Sequence, residues 1–590
     1  MTFTPQPSFT TRPQLSGAFG MAASTHATAT AVAQSVLERG GNAFDAACAG
    51  GFALHLAEPH LNGPGGDLVG LFQPADAAEP TVLMGQGPAP AGATISHFRA
   101  EGLDLVPGTG GLAAAVPGAV DAWFVLLRDH GTWELADVLA YAIDLARSGH
   151  PLLPTAAATI GRVAVQFREH WPSSAELWLD AEGAPPAAGT RHRNPTYART
   201  LERLVKAGDG AADRVGRIEA ARAAWRTGFV ADAASAFLGA PHRHADGGDH
   251  AAVITPADFA GFEAGYEQPL SVSFRGATVF KAGAWTQGPA LLEALRILEP
   301  LDTLDPATPE GAHTILETLK LVLADRDAHF GDGADVAWLL ADPQVAARRA
   351  LLGGVASADW RATERDDTWV PPLRRPDASG PAAGTGEPTV AKTGQTRGDT
   401  CQIDVVDRWG NIVAVTPSGG WLQSSPTIPE LGFCLGTRLQ VAWLDESSPS
   451  ALRPGRRPRT TLSPTMVHQG DTVIAMGTPG GDQQDQWQLP MLLRMLVGGY
   501  TAQQAIDAPT LHTTAMVDSF WPRTWTPAGA VVEDRLGDEV IDALVARGHA
   551  VTRAGDWALG RLGAVGLDRA TGELWAAANP RGMQGYAAGR

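Results

Sequence analysis

Thr400 heads a strand-like run within "RGDTCQIDVVDRWGNIVAVT" (residues 397–416), directly after a stretch, residues 363–398, rich in Pro, Gly, Thr and charge and almost without apolar periodicity. If the bond between Asp399 and Thr400 were cut, one residue would carry both a hydroxyl and a free α-amine. An α-amine titrates near ~7.7–8, so at neutral pH enough of it is unprotonated to take the hydroxyl proton. Thr400 would then be nucleophile and base at once. The stretch before it would be the released end that opens the site. Taken by itself, Thr400 reads as a β-branched residue opening a strand after a surface loop, and only the other segments turn that reading around. Cys401 is an alternative nucleophile if cleavage fell one residue later.

Other segments carry groups such chemistry needs. "TVIAMGTPGGDQQDQWQ" (472–488) reads as strand, glycine turn and helix. Gly480 and Gly481 let backbone N–H groups approach a ligand closely at a helix N-terminus, which suits an oxyanion hole; the plain alternative is a structural turn. "RRPRTTLSPTMV" (456–467) clusters the hydroxyls of Thr460, Thr461 and Ser463 after a basic run, and otherwise reads as a capped loop entering a strand. "EPHLNGPGGDLVG" (58–70) lacks both the Lys-Ser/Thr end of a phosphate loop and the GxGxxG spacing, so nucleotide binding is not expected. "HRHADGGDH" (242–250) offers His242, His244, Asp246, Asp249 and His250, but fits no zinc spacing and reads as a solvated loop.

These segments need elements to hold them. Residues 26–58 look like two Ala-rich helices broken at Gly40 and Gly41, the second capped by Asn42. Short strands are expected at 66–74 and 81–85, and helices near 118–130, 133–148, 289–299 and 310–327. After residue 400 the runs "CQIDVVD", "NIVAVT" and "TVIAMGTP" read as strands separated by Gly-containing turns. A helix over 487–497 follows, with a final strand pair at "AVGLD" and "ELWAAA". Sheets packed between helical layers form an α/β sandwich.

The chain has 590 residues, 45 Lys and Arg against 63 Asp and Glu, and a formal charge of −18. That balance opposes a nucleic-acid partner, which needs cations to displace counterions, and disfavours anionic membrane surfaces. Cys48, Cys401 and Cys434 are too few for a disulfide framework, which points to a reducing compartment. The N-terminal residues carry Pro where a secretory apolar run belongs, and no run reaches the ~18 apolar residues of a spanning helix. The expectation is a cytoplasmic protein that binds no membrane.

Taken together, "GGNAFDAA", "EPHLNGPGG", "APAGAT" (89–94), "DTCQIDVVDRWGNIVAVT", "RRPRTTLSPTMV", "GTPGG" and "NPRGMQGYAAG" resemble, in order and across both halves, the γ-glutamyltransferase family of autoprocessing N-terminal-nucleophile hydrolases. The resemblance implies a four-layer αββα sandwich and self-cleavage between Asp399 and Thr400. A large subunit, 1–399, and a small catalytic subunit, 400–590, would remain together as a heterodimer in one domain, with pairing of two heterodimers left open. It also implies Thr400 as nucleophile, Ser418 near the new α-amine, Gly480 and Gly481 as the oxyanion glycines, and Thr460 and Thr461 in place of a Ser-Ser pair. No metal or organic cofactor is implied, since amine, hydroxyl and backbone donors suffice for acyl transfer.

The chain departs from the family at the residues that clamp a γ-glutamyl group. An Arg that binds the substrate carboxylate is Gln86 here, an Asn is Gly420, an acidic pair aligns with Gln440 and Val441, and a His after the nucleophile is Gln402. Asp482, with Trp421, Gln483 and Trp487, enters the nearby segments as a candidate substrate contact. A neutral amide cannot make a bidentate charge-assisted contact. The expectation is a Thr400-dependent amidohydrolase or acyltransferase on a small-molecule or peptide amide, with an acyl specificity other than ordinary γ-glutamyl. Two alternatives stand beside it: a true glutathione or γ-glutamyl hydrolase or transferase, and a non-catalytic binding relative.

Overall fold

The computed structural model describes residues 3–366, 368–376 and 400–590. Two seven-stranded sheets, antiparallel throughout, form its centre. One runs, in spatial order, Tyr586–Gly589, Gly20–Ser24, Ile403–Asp407, Ile412–Ser418, Asp67–Gln73, Thr81–Gly85 and Gly265–Glu267. The other runs Leu15–Gly17, Leu574–Ala578, Gly563–Asp568, Thr472–Gly477, Thr465–Gln469, Ala277–Lys281 and Leu270–Phe274. Both sheets mix strands from before and after Thr400. A cut there would leave the two pieces interlocked by backbone hydrogen bonds, as where Ile403–Asp407 pairs with Gly20–Ser24 on one side and Ile412–Ser418 on the other.

The side-chain period of two sorts these strands between two cores. Ile403, Val405, Val413 and Val415 pack outward against the helices Ala27–Glu38, Ala43–Ala57 and Ala119–His130. Val406, Ile412 and Ala414 point the other way and meet Met466, Val473, Ala475 and Val565 of the second sheet. The second sheet's outer face is covered by Gly288–Leu298, Pro309–His329 and Gln484–Leu496. Burial on both faces is why "IVAV" runs apolar without alternation, while Asp404 and Asp407 of "IDVVD" are buried and hydrogen-bonded. The layers are helix, sheet, sheet, helix: the αββα sandwich expected from the sequence.

Local signals act as read. Asn42 caps Ala43–Ala57, its side chain accepting from the Phe44 and Asp45 N–H groups while Asp45 returns a bond to the Asn42 N–H. Two readings change. The stretch expected to be a flexible linker from residue 363 is anchored at its start: His329 bonds to the Thr363 carbonyl, and Trp369 is buried against Trp443 with its indole N–H on Asp445. Residue 367 and residues 377–399, Asp399 among them, lie outside the described residues. "HRHADGGDH" is not a solvated loop but a hairpin, His242–Arg243 against Asp249–His250. His250 is held between Glu101 and Asp246, and His244 accepts the Leu112 N–H. Hydrogen-bond partners far away in sequence, Glu101 and the Leu112 N–H, invisible in the nine residues themselves, hold these histidines inward.

Candidate active site

Thr400 sits one residue before the buried Cys401, on the extension of Ile403–Asp407, and forms an antiparallel bridge with Ser418 at the end of the neighbouring strand. The Cys401 N–H donates to the Pro417 carbonyl at 2.9 Å, fixing the register. The Thr400 and Ser418 hydroxyl oxygens are then 3.2 Å apart, both buried. The residue read as nucleophile and the residue read as its companion are thus hydrogen-bonded across two central strands.

Cys401 is placed differently. Its thiol is fully buried and donates to Glu58, which also accepts from Thr25 and Gln584. Burial, then the Glu58 carboxylate beside it, pushes the thiol well above its ordinary range. A thiol held protonated is a poor nucleophile. The Gln402 amide donates to Asp404 at 2.6 Å and accepts from Thr416 at 2.6 Å. Burial drives the Asp404 carboxyl well upward, and its second oxygen has no partner among the described residues.

The glycine turn approaches from the second sheet. A Cβ on Gly477 would lie 2.3 Å from the Gln402 amide oxygen, so this strand end packs directly on the Gln402 side chain, two residues after Thr400. Gly480 and Gly481 have φ of +132° and +53°, and a Cβ on Gly480 would lie 2.2 Å from the Trp487 ring. A short 3₁₀ turn, Gly481–Gln483, then feeds the helix Gln484–Leu496. Backbone N–H groups at such an end can stabilise a developing oxyanion.

The glycines of "LNGPGG" form a wall on the other side. A Cβ on Gly66 would strike the Ser418 carbonyl at 2.0 Å, and one on Gly63 the Gly420 carbonyl at 2.1 Å. Their smallness serves close packing behind the nucleophile strand pair. Gly420 itself has φ +60°, and a Cβ there would meet the Gly66 nitrogen at 2.8 Å.

The remaining candidates are buried and mostly occupied. Gln440 donates to Gly108 and Thr437 and accepts from the Trp521 N–H. The Thr460 N–H donates to the Trp285 carbonyl, and its hydroxyl accepts from Leu462. The Thr461 hydroxyl and the Gln86 carbonyl oxygen have no partner among the described residues. Asp482 is engaged by Arg326 and by both the N–H and hydroxyl of Ser519. Burial alone would raise Asp482, but Arg326 and Arg459 nearby and the Ser519 bonds hold it below the ordinary carboxylate range.

Sequence reasoning did not single out Glu58, Arg326, Asp327 or Ser519. "LADRDAHF" (323–330) carried one usable signal, the charged run Asp325-Arg326-Asp327 directly after an apolar stretch of helix. His313, Glu317 and His549 have ligand atoms close enough for a metal. However, Glu317 is already held by Lys320 and Arg361, and His313 bonds directly to His549 at 2.9 Å. Two cations beside the carboxylate oppose a third.

The sequence profile of the gamma-glutamyltranspeptidase family matches residues 29–589. The chain belongs to that family. It is 29% identical to the glutathione hydrolase-like YwrD proenzyme of Bacillus subtilis (strain 168), over 95% of this chain and 97% of that protein. Among solved structures, LmbA2991HD is 48% identical with a TM-score of 0.93, covering 99% of this chain and 100% of that one. The cephalosporin acylase from Bacillus halodurans is 26% identical with a TM-score of 0.81, covering 100% of this chain and 99% of that one. The fold and its family are thereby established together.

Proposed function

We propose that this family member is a self-processing amidohydrolase or acyltransferase whose nucleophile is Thr400. The observation that carries the reading is the hydrogen-bonded pair of Thr400 and Ser418 on two adjacent central strands. In processing, the Thr400 hydroxyl oxygen attacks the Asp399 carbonyl carbon. The C–N bond breaks, the nitrogen takes the proton as the new α-amine, and water hydrolyses the resulting ester to a carboxylate and a free hydroxyl. In turnover, the α-amine takes the hydroxyl proton and the oxygen attacks a substrate amide. Gly480 and Gly481 N–H groups hold the oxyanion, the amine leaves with the proton, and water or an acceptor amine releases the acyl group.

The neutral Gln86 and the occupied Gln440 and Asp482 support an acyl group other than ordinary γ-glutamyl, as the likeness to a cephalosporin acylase also does. The glutathione hydrolase-like relative supports the second reading, a γ-glutamyl enzyme with a different clamp. The working form is a heterodimer of 1–399 and 400–590. Three buried free cysteines support a cytoplasmic setting; no helix among the described residues is long and apolar enough to cross a membrane.

Denaturing electrophoresis tests processing. Two bands near two-thirds and one-third of the mass are expected, the smaller beginning Thr-Cys-Gln, and Thr400→Ala should give one band and no turnover. A single inert wild-type chain would sink the proposal. A γ-glutamyl anilide assayed against simple acyl anilides separates the two substrate readings, since release from the former alone would favour the second.

A further inference from the structure

Gly480 and Gly481 both have positive φ, and glycine takes up either sign of φ with similar ease. A turn whose N–H groups meet a developing oxyanion has to be held in one conformation beforehand, because preorganised donors cost no reorganisation during the reaction. Two hydrogen bonds hold this one. The Gln483 N–H donates to the Gly480 carbonyl at 2.9 Å, and the Gln287 side chain donates its amide N–H to the Gly481 carbonyl at 3.1 Å. A trans peptide is planar, with its C=O and N–H pointing opposite ways. The first bond therefore aims the Gly481 N–H. The second fixes the following peptide, so Gly481 is gripped on both sides.

Gln287 is itself locked in place. It is fully buried, directly before the helix Gly288–Leu298. The two residues before it run beside Thr460: the Thr460 N–H donates to the Trp285 carbonyl, and Thr286 forms a parallel bridge with Thr460. The Gln287 amide oxygen accepts from Arg326 Nη1 at 3.1 Å. A guanidinium only donates and a carbonyl only accepts, so a single orientation of the amide satisfies both partners. Arg326, also fully buried, holds the Asp482 carboxylate as well. One guanidinium thus reaches Gly481 through Gln287, and the next residue, Asp482, directly.

We propose that Gln287 is a positioning residue for the oxyanion turn: backed by Arg326, its amide N–H holds the peptides on either side of Gly481 in the reactive orientation, and it thereby sets kcat rather than substrate binding. The inference rests on the reading of Gly480 and Gly481 as oxyanion donors and deepens it. Both ends of the side chain are engaged by protein groups, which suits a residue that acts through its neighbour.

Two substitutions separate its contacts. Gln287→Glu keeps the size and an oxygen facing Arg326 but removes the donor to Gly481, and Gln287→Leu removes both. On processed protein, with the acyl anilide that wild type cleaves fastest, each should lower kcat by about 10- to 100-fold, the effect of a small misplacement of catalytic groups, and leave KM unchanged. The double variant of Gln287→Glu with Gly480→Ala should be no slower than Gly480→Ala alone, since both act through one turn. A fault elsewhere in the fold would slow it further.

Wild-type kcat in Gln287→Glu, a raised KM with unchanged kcat, or multiplying losses in the double variant overturns the proposal. So does a Gln287→Glu chain that folds but stays uncut, because the role is confined to turnover. Loss of folding in both Gln287 variants, read by circular dichroism, overturns it too, because the side chain is then structural. Unchanged kcat in Gly480→Ala would instead remove the oxyanion reading itself, whereas a slowed Gly480→Ala beside an unaffected Gln287→Glu sinks this inference alone.

Discussion

The hydroxyl of Thr400 lies 3.2 Å from that of Ser418, across the bridge that joins their two strands, while the adjacent Cys401 thiol points away onto Glu58. Neighbours in sequence thus face opposite chemistry, one toward a hydroxyl and one toward a carboxylate that keeps it protonated. Ser418→Ala should slow self-cleavage and turnover by about 5- to 10-fold, the effect of one neutral hydrogen bond. Cys401→Ala should still yield two bands and keep its activity. An uncut Cys401→Ala chain, beside a processed Ser418→Ala one, would move the nucleophile to the thiol. Time-resolved electrophoresis with an anilide assay reads both.

Gly480 combines a backbone angle of +132° with a Trp487 ring where a Cβ would stand. Gly480→Ala should therefore displace the turn whose N–H groups are assigned to the oxyanion, lowering kcat by about 100- to 1,000-fold. The fold should persist, since the helix Gln484–Leu496 is anchored by Leu489, Met491, Leu492 and Leu493 in the core beneath. Circular dichroism and steady-state kinetics on processed protein check this; unchanged kcat would remove the turn from the mechanism.

The contrast between these sites and their surroundings shows what a sequence displays. Thr400, the strand after it and the glycine turn were readable because each is a local pattern: a residue at a strand head, an apolar run, paired glycines before a helix. Asn42 was readable because capping is local too. The linkage of Arg459 through Ser519 and Asp482 to Arg326 joins four separated segments, and no periodicity announces such a meeting. His244 and His250 looked solvated for the same reason, since the residues that bury them lie more than a hundred positions away.

Asp404 makes a pH prediction. Burial raises its carboxyl well above the usual value, so the folded state keeps a proton that the unfolded chain loses near pH ~3.9. The folded protein binds more protons above that pH, and stability contributed by this group falls as pH rises toward the raised value. Asp404→Asn, neutral throughout, should be more stable than wild type at pH 7, and the advantage should vanish below about pH 4. Denaturant unfolding at pH 4, 5.5 and 7 measures it. An advantage independent of pH would mean the proton is not the cause.

Asp482 divides a structural role from a substrate role. Its carboxylate is fully engaged by Arg326 and Ser519. Removing it leaves Arg326 with Asp327 alone, and Arg459 nearby with one carboxylate fewer. Breaking a buried ion pair from one side costs about 3–5 kcal/mol, so Asp482→Ala should unfold at markedly lower denaturant concentration than wild type. Asp482→Asn, which keeps one of the two oxygens that accept from Ser519, should lose less. Normal stability in Asp482→Ala with a raised KM would instead assign the residue to the substrate.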